Sequence, residues 1–242
     1  MPFTFSHPAI VLPLAKASNR WFSLTGLVVG SIAPDFEYFI RMKVLSTYSH
    51  TLLGLIWFNI PVGLAVAFAF HGIVRNRLID NLPSFLAYRF SPFKSLDWIY
   101  YYQHNRIKVI SSILIGAVSH IAWDSFTHET GMMVETIAFL RASVLVAGKD
   151  IQLFKLLQHV SSFTGALAIL LAVLTLPVLP FKKRANPLYW IIVAIIAAFV
   201  LSLRVASGLD PRLYGHMIVT GISGFMIGVI VASIFKSVSP KR

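Results

Sequence analysis

The stretch Ser119-His120-Ile121-Ala122-Trp123-Asp124-Ser125-Phe126-Thr127-His128 places a histidine, a carboxylate and a histidine at intervals of four residues. On a helix, residues four apart share a face, one turn above another. The spacing therefore predicts that His120, Asp124 and His128 converge on one spot. Imidazole and carboxylate are ligands of zinc-class divalent ions. The chain has no cysteine, so thiolate sites and disulfides are excluded. The stripe also ends an apolar run, where an ionisable side chain is expensive and marks function.

Other groups of the same chemistry lie near predicted helix ends. His7 precedes the first helix. Asp35 follows the second, in Gly30-Ser31-Ile32-Ala33-Pro34-Asp35. His50 opens the first full span, in Tyr48-Ser49-His50-Thr51, and His159 opens the third, in Leu157-Gln158-His159-Val160. Taken singly, each has an ordinary use: a cap or interfacial anchor for the histidines, a turn residue or N-cap for Asp35. Together with the stripe they bring seven groups from separate segments to one membrane face, which is how a polynuclear site is built in a helix bundle. Haem held by two histidines is the competing chemistry, and it gives Asp35 and Asp124 no role. Glu129, directly after His128, is a candidate general base, with Glu37 and Glu135 behind it. A solvated surface carboxylate is an equally good account of each.

These residues need helices to position them, and the composition says where those helices sit. Of the 242 residues, 57% are hydrophobic and only 12% charged, with a mean hydropathy of +0.75. Soluble domains average about 25% charged. The expected fold is all-α, a polytopic membrane helix bundle with five full spans and an N-terminal helical hairpin. The spans, each near the ~20 apolar residues that cross a bilayer, are 51–74, 107–126, 160–181, 188–206 and 214–235. The hairpin is 8–16 and 21–33, turning at Ser18-Asn19 and ended by Pro34. Residues 75–106 read as a basic loop whose aromatic run Trp98-Ile99-Tyr100-Tyr101-Tyr102 suits a membrane interface. Residues 129–158 are expected to hold a short amphipathic helix. The N-terminus has no basic region before an apolar stretch and does not read as a cleavable signal.

The net charge of +12 could suit nucleic acid, but a membrane protein collects Lys and Arg in its cytoplasmic loops and against anionic lipid. No nucleic acid is expected; membrane lipids are. With five crossings, 14 of the 21 basic residues fall on one side and 7 on the other. The positive-inside rule makes the first side cytoplasmic, so the candidate ligands face outward. Arg204 and Asp210 lie near a span end, and the middles of the last three spans carry no ionisable residue, which argues against a central ion path. Gly224 and Gly228 form a small-xxx-small pair suited to close helix packing, within the chain or between copies.

The order His, Gly-Ser-x-x-Pro-Asp, Ser-His, His-x-x-x-Asp-Ser-x-x-x-His, then a later His resembles bacterial zinc-dependent phospholipase C, and in general pattern the single-strand-specific nucleases of the same helical fold. The opening Met-Pro-Phe-Thr-Phe-Ser-His-Pro and the segment Trp-Asp-Ser-Phe-Thr-His-x-x-Gly resemble a family of bacterial membrane proteins that is similar to the membrane-bound metal-dependent hydrolases. The resemblance covers residues 1–165, a helical core for the metal site; 166–242 would be C-terminal transmembrane helices integrated with it. It implies zinc, in one to three ions. His50, His120 and Asp124 would hold one, with Asp35 beside it as ligand or general base. His128 and His159 would hold a second. His7, with Asp124 bridging, would complete the cluster. Two departures favour one or two ions: six residues precede His7, where the soluble enzymes use a free N-terminus, and Phe163 stands where they carry a Glu.

The resemblance therefore implies a hydrolase of a lipid or lipid-linked phosphoester in the bacterial cytoplasmic membrane, with Asp35 or Glu129 accepting the water proton. The alternative is a non-catalytic metal-binding or transport-associated membrane protein.

Overall fold

The computed structural model describes residues 3–17 and 21–235. The expected turn at Ser18-Asn19, and the cations Arg20, Lys236, Lys241 and Arg242, lie outside them. The described chain is mostly helical, with one small hairpin and irregular connections. A 3-10 turn, Thr4–Ser6, leads into α1 (Pro8–Ala17), and α2 (Leu24–Ile32) continues through a 3-10 turn, Ala33–Asp35, into α3 (Phe36–Arg41). A long helix, α4 (Leu52–Asn81), is followed by α5 (Ser84–Phe90), α6 (Trp98–His104), α7 (Arg106–Thr127) and α8 (Met132–Thr136). The strands β1 (Ser143–Val146) and β2 (Lys149–Gln152) precede α9 (Leu153–Leu174), α10 (Tyr189–Ala206) and α11 (Tyr214–Ile234). Five helices are long and apolar enough to cross a membrane: α4, α7 with α8 behind it, α9, α10 and α11. In lipid every backbone N–H and C=O must be satisfied within the helix, so apolar runs of this length fold as helices.

Several local expectations shift. The third span begins at Leu153, not Val160, because Phe154 is buried with Val134 and Leu140 and draws the preceding turn into the helix. It stops at Leu174 rather than Phe181, three residues before Pro177, whose ring cannot enter a helix interior. Residues 129–158 hold the β1–β2 hairpin as well as the short α8. Its turn residues Ala147 and Gly148 have φ of 50° and 78°, the paired positive values of a two-residue hairpin turn. Pro34 does not stop the second arm but converts it to a 3-10 turn that carries the chain into α3. Residues 75–104 are largely helical, and Trp98 is buried, stacked on His71 at 4.4 Å and 9°.

The chain forms two compact units. The first comprises 1–35, 48–64 and 105–174. Its centre is the crossing of α2 and α7, where glycines remove the side chains that would hold the helices apart. A Cβ on Gly30 would lie 2.2 Å from the Ile113 carbonyl oxygen, and one on Gly116 2.5 Å from that of Leu27. Ser23 caps α2 by accepting the Gly26 N–H, and its own N–H donates to Ser112 Oγ at 2.9 Å. The Thr4–Ser6 turn docks on α9: Phe3 N–H donates to Ser162 Oγ at 2.9 Å, and Ser6 Oγ donates to the Ser162 carbonyl at 2.8 Å.

The second unit comprises 36–47, 65–104 and 175–242. Val74, Tyr189, Val193, Val229 and Ala232 form its core. Gly224 and Gly228 meet α10 at Ala197 and Val193, so that pair packs within the chain. Glu37 is buried. Its carboxylate accepts from Arg41 Nε at 2.9 Å and from the Thr47 N–H and hydroxyl at 3.0 and 2.8 Å. It clamps the 42–47 loop.

Candidate metal centre

Within the first unit, Asp35, His50, His120 and Asp124 each offer one ligand atom, all within 4.8 Å of one another, and could hold a metal ion. Each arrives from a different local structure. His120 and Asp124 lie one turn apart on α7, and both are buried. Asp35 ends the 3-10 turn after α2, fully buried because the glycine crossing lays α2 against α7. His50 sits in a tight loop ahead of α4. Thr51 caps that helix by accepting the Gly54 N–H at 2.9 Å, and a Cβ on Gly54 would lie 1.9 Å from the Tyr48 carbonyl oxygen.

The distances between these atoms fit a small divalent ion. His120 Nε2 lies 3.3 Å from Asp124 Oδ2 and 3.5 Å from Asp35 Oδ1; His50 Nε2 lies 3.6 and 3.8 Å from the same two oxygens. Two ligands each about 2.1 Å from a tetrahedral ion stand about 3.4 Å apart. The separations are too long for good hydrogen bonds and right for edges of a coordination tetrahedron. His120 Nε2 and Asp35 Oδ1 are buried with no hydrogen-bond partner among the described residues. Buried polar atoms are normally satisfied, and an ion held between these two would satisfy both.

The histidines are oriented as ligating histidines are, one nitrogen tied back and the other presented. His120 Nδ1 bonds the Ser31 carbonyl at 2.7 Å, a contact made possible by the Gly30 and Gly116 approach. His50 Nδ1 bonds Ser49 Oγ at 3.0 Å. Asn59 Nδ2 donates to the Ser49 carbonyl at 2.8 Å and steadies that loop. Asn59 ends a π-helical segment, Leu55–Asn59, a local widening that recurs at functional positions. Thr4 Oγ1 donates to Asp35 Oδ2 at 2.5 Å, leaving Oδ1 to face the histidines.

Asp124 has a second face. Its Oδ1 lies 3.5 Å from His7 Nε2 and 3.6 Å from His128 Nδ1. His7 stacks on His120 with ring centroids 3.8 Å apart. Neither ring nitrogen of His7 has a hydrogen-bond partner among the described residues, nor has the buried Nε2 of His128. Asp124 thus stands between the four-residue group and a flanking pair of imidazoles. Burial, reinforced by neighbouring His120, holds the His7 pKa down at about 3, so its ring is neutral. Burial pushes Asp35 up, but His120 and the Thr4 hydroxyl outweigh it and hold the carboxyl below its ordinary value. Neutral imidazole and ionised carboxylate are the ligand forms.

Of the residues singled out from the sequence, six meet here: His7, Asp35, His50, His120, Asp124 and His128. His159 lies inside α9, exposed, and Glu129 is exposed in the turn after α7; neither belongs to the four-residue group. Thr4, Asn59 and the Ser31 carbonyl escaped sequence reading. Only Ser31 had a signal, in the small-residue spacings Gly26-xxx-Gly30 and Ser112-xxx-Gly116 that allow close helix crossing. No curated protein and no solved structure matches the chain. Residues 1–234 match the family described as Domain of unknown function (DUF4184), and the chain belongs to that family.

Proposed function

We propose that this protein is an integral membrane hydrolase that uses zinc to cleave a phosphoester in a lipid or lipid-linked substrate. The observation that carries the reading is the four-group constellation, with ligand atoms at tetrahedral spacing and its histidines tied back through Nδ1. His50, His120 and Asp124 would hold one ion and leave a position for water, with Asp35 beside it as general base, and the other oxygen of Asp124, with His7 and His128, would hold a second. Zinc at such a site lowers the pKa of water toward neutrality and polarises a phosphoryl oxygen. Asp35, its Oδ2 engaged by Thr4 and its Oδ1 turned to the histidines, would take the water proton. His50 and His128 are the open side, with side chains 22% and 25% exposed against 0% for His120; substrate enters there. The charge asymmetry of the loops supports an outward-facing site in the bacterial cytoplasmic membrane.

Elemental mass spectrometry of the purified protein tests this directly. One or two zinc ions per chain are expected, lost in Asp124→Asn, together with hydrolysis within a panel of phospholipids and phosphodiesters that the variant lacks. Absence of stoichiometric metal after reconstitution with zinc would sink the proposal. The burial of His120, Asp35 and His7 favours a second reading, a structural ion in a closed site. Metal retained in full with no turnover on any phosphoester selects it.

A further inference from the structure

A cavity of about 330 Å³ opens beside the candidate centre, lined by His7, Ile10, Trp123, Thr164, Gly165 and Ala168 among others. It belongs wholly to the first unit, between α1, α7 and α9. Its α9 wall is one helical stripe, Ser161, Thr164, Gly165 and Ala168, at i, i+3, i+4 and i+7. That stripe runs about 10 Å along the helix at 1.5 Å per residue. The residues are small, and this leaves the space. Another stripe of the same helix, Phe163, Leu167, Leu170 and Leu174, is large, apolar and exposed, as a lipid-facing surface is. The cavity is therefore an open, mostly apolar groove, with Ile10, Trp123, Thr164 and Ala168 exposed along it, cut into a helix suited to lie in the bilayer.

Its polar lining is Ser6, His7, Ser161 and Thr164, and of these His7 leads to the candidate centre. His7 is 4% exposed, lines the cavity, and has no hydrogen-bond partner on either ring nitrogen among the described residues. The same His7 reaches Asp124 Oδ1 and stacks on His120. One side chain thus joins an apolar groove to a group of metal-ligating atoms. The occupant that suits both ends is an amphiphile, with an anionic head at the ligand cluster and a hydrocarbon chain along Ile10, Trp123 and Ala168.

We propose that the α1–α7–α9 groove seats the hydrocarbon chain of the phosphoester lipid and so presents the lipid's phosphate to the metal centre, an inference that rests on the hydrolase reading. Ala168 and Trp123 then set which chains fit. Ala168 is itself no proposed ligand, and a bulky side chain there takes up groove space.

The test uses the full chain, loaded with zinc, in nanodiscs containing a small fraction of dodecyl phosphate with a terminal diazirine. After irradiation, labelled peptides are mapped by mass spectrometry. The expected result is labelling concentrated at Ile10, Trp123 and Ala168, several-fold above that at Phe163, Leu167 and Leu170. Labelling in the groove should fall several-fold in Ala168→Phe, with zinc content unchanged, and should fall on chelation. Labelling of the outward residues of α9 alone, equal in both proteins, overturns the groove proposal while stoichiometric zinc leaves the metal reading standing. Groove labelling that is lost in Ala168→Phe but indifferent to chelation, in a protein that binds no zinc, supports a hydrocarbon site and overturns the coupling of that site to a metal centre.

Discussion

Thr4 donates its hydroxyl to Asp35, and Asn59 donates to the carbonyl that precedes His50. Neither would touch an ion, yet each fixes a group that would. Outer partners of this kind are worth 10–100-fold in metal affinity. Thr4→Val is expected to lower zinc affinity by about that factor, as read by competition with a chelator, while the protein remains folded; an unchanged affinity would assign Thr4 to packing alone. His7 gives a prediction in pH. In the chelator-treated protein its pKa is about 3, against 6.5 for the ordinary group. Between those values the unfolded chain takes up a proton that the folded chain refuses, so stability falls as pH drops from 6.5 toward 3. His7→Gln should flatten that part of the profile in thermal unfolding followed across pH; parallel curves would contradict it. At this scale the sequence was legible where contacts are local. The His120, Asp124 and His128 stripe follows from helical spacing. The Thr4–Asp35 bond joins residues 31 apart, and nothing in the types of either residue announces it.

Helices α2 and α7 meet backbone to backbone, and the His120–Ser31 bond depends on that approach. Gly30→Ala would place a methyl carbon 2.2 Å from the Ile113 carbonyl oxygen, so the helices must separate. Expected are a lower melting temperature and loss of bound zinc together. Gly221→Ala is the control: nothing lies within 4 Å of its added carbon, and better helix propensity stabilises it by up to about 1 kcal/mol. Equal behaviour of the two variants in thermal unfolding would refute the crossing as the support of the site. The spans were legible because hydropathy and length report what lipid demands. Their ends were less so. Packing of Phe154 pulled α9 back to Leu153, and the β1–β2 hairpin turns at Ala147-Gly148, a pair with less turn character than Asn-Gly.

For the molecule as a whole, low charge and high hydropathy marked a membrane protein before any element was placed, and five candidate spans agree. Orientation has a clean assay, since the chain has no cysteine of its own. A single Cys in place of Leu145 on β1 should react with a membrane-impermeant maleimide from outside intact cells. One in place of Lys183 should react only after permeabilisation. The reverse pattern would turn the candidate metal centre toward the cytoplasm.

The docking of the N-terminal turn onto α9 has a consequence for how the protein is made. Phe3 and Ser162 are 159 residues apart, so although Thr4 and His7 meet Asp35 and His120 earlier in the chain, the turn is fixed on α9 only once the third span has left the ribosome. Contacts this distant in sequence form late, and the segments that await them are exposed meanwhile. Asp35, His50, His120 and Asp124 are all synthesised before Ser162. If the cluster holds an ion, that ion would be captured before the turn is fixed on α9, and metal supply during translation would then bear on how much mature protein a cell obtains.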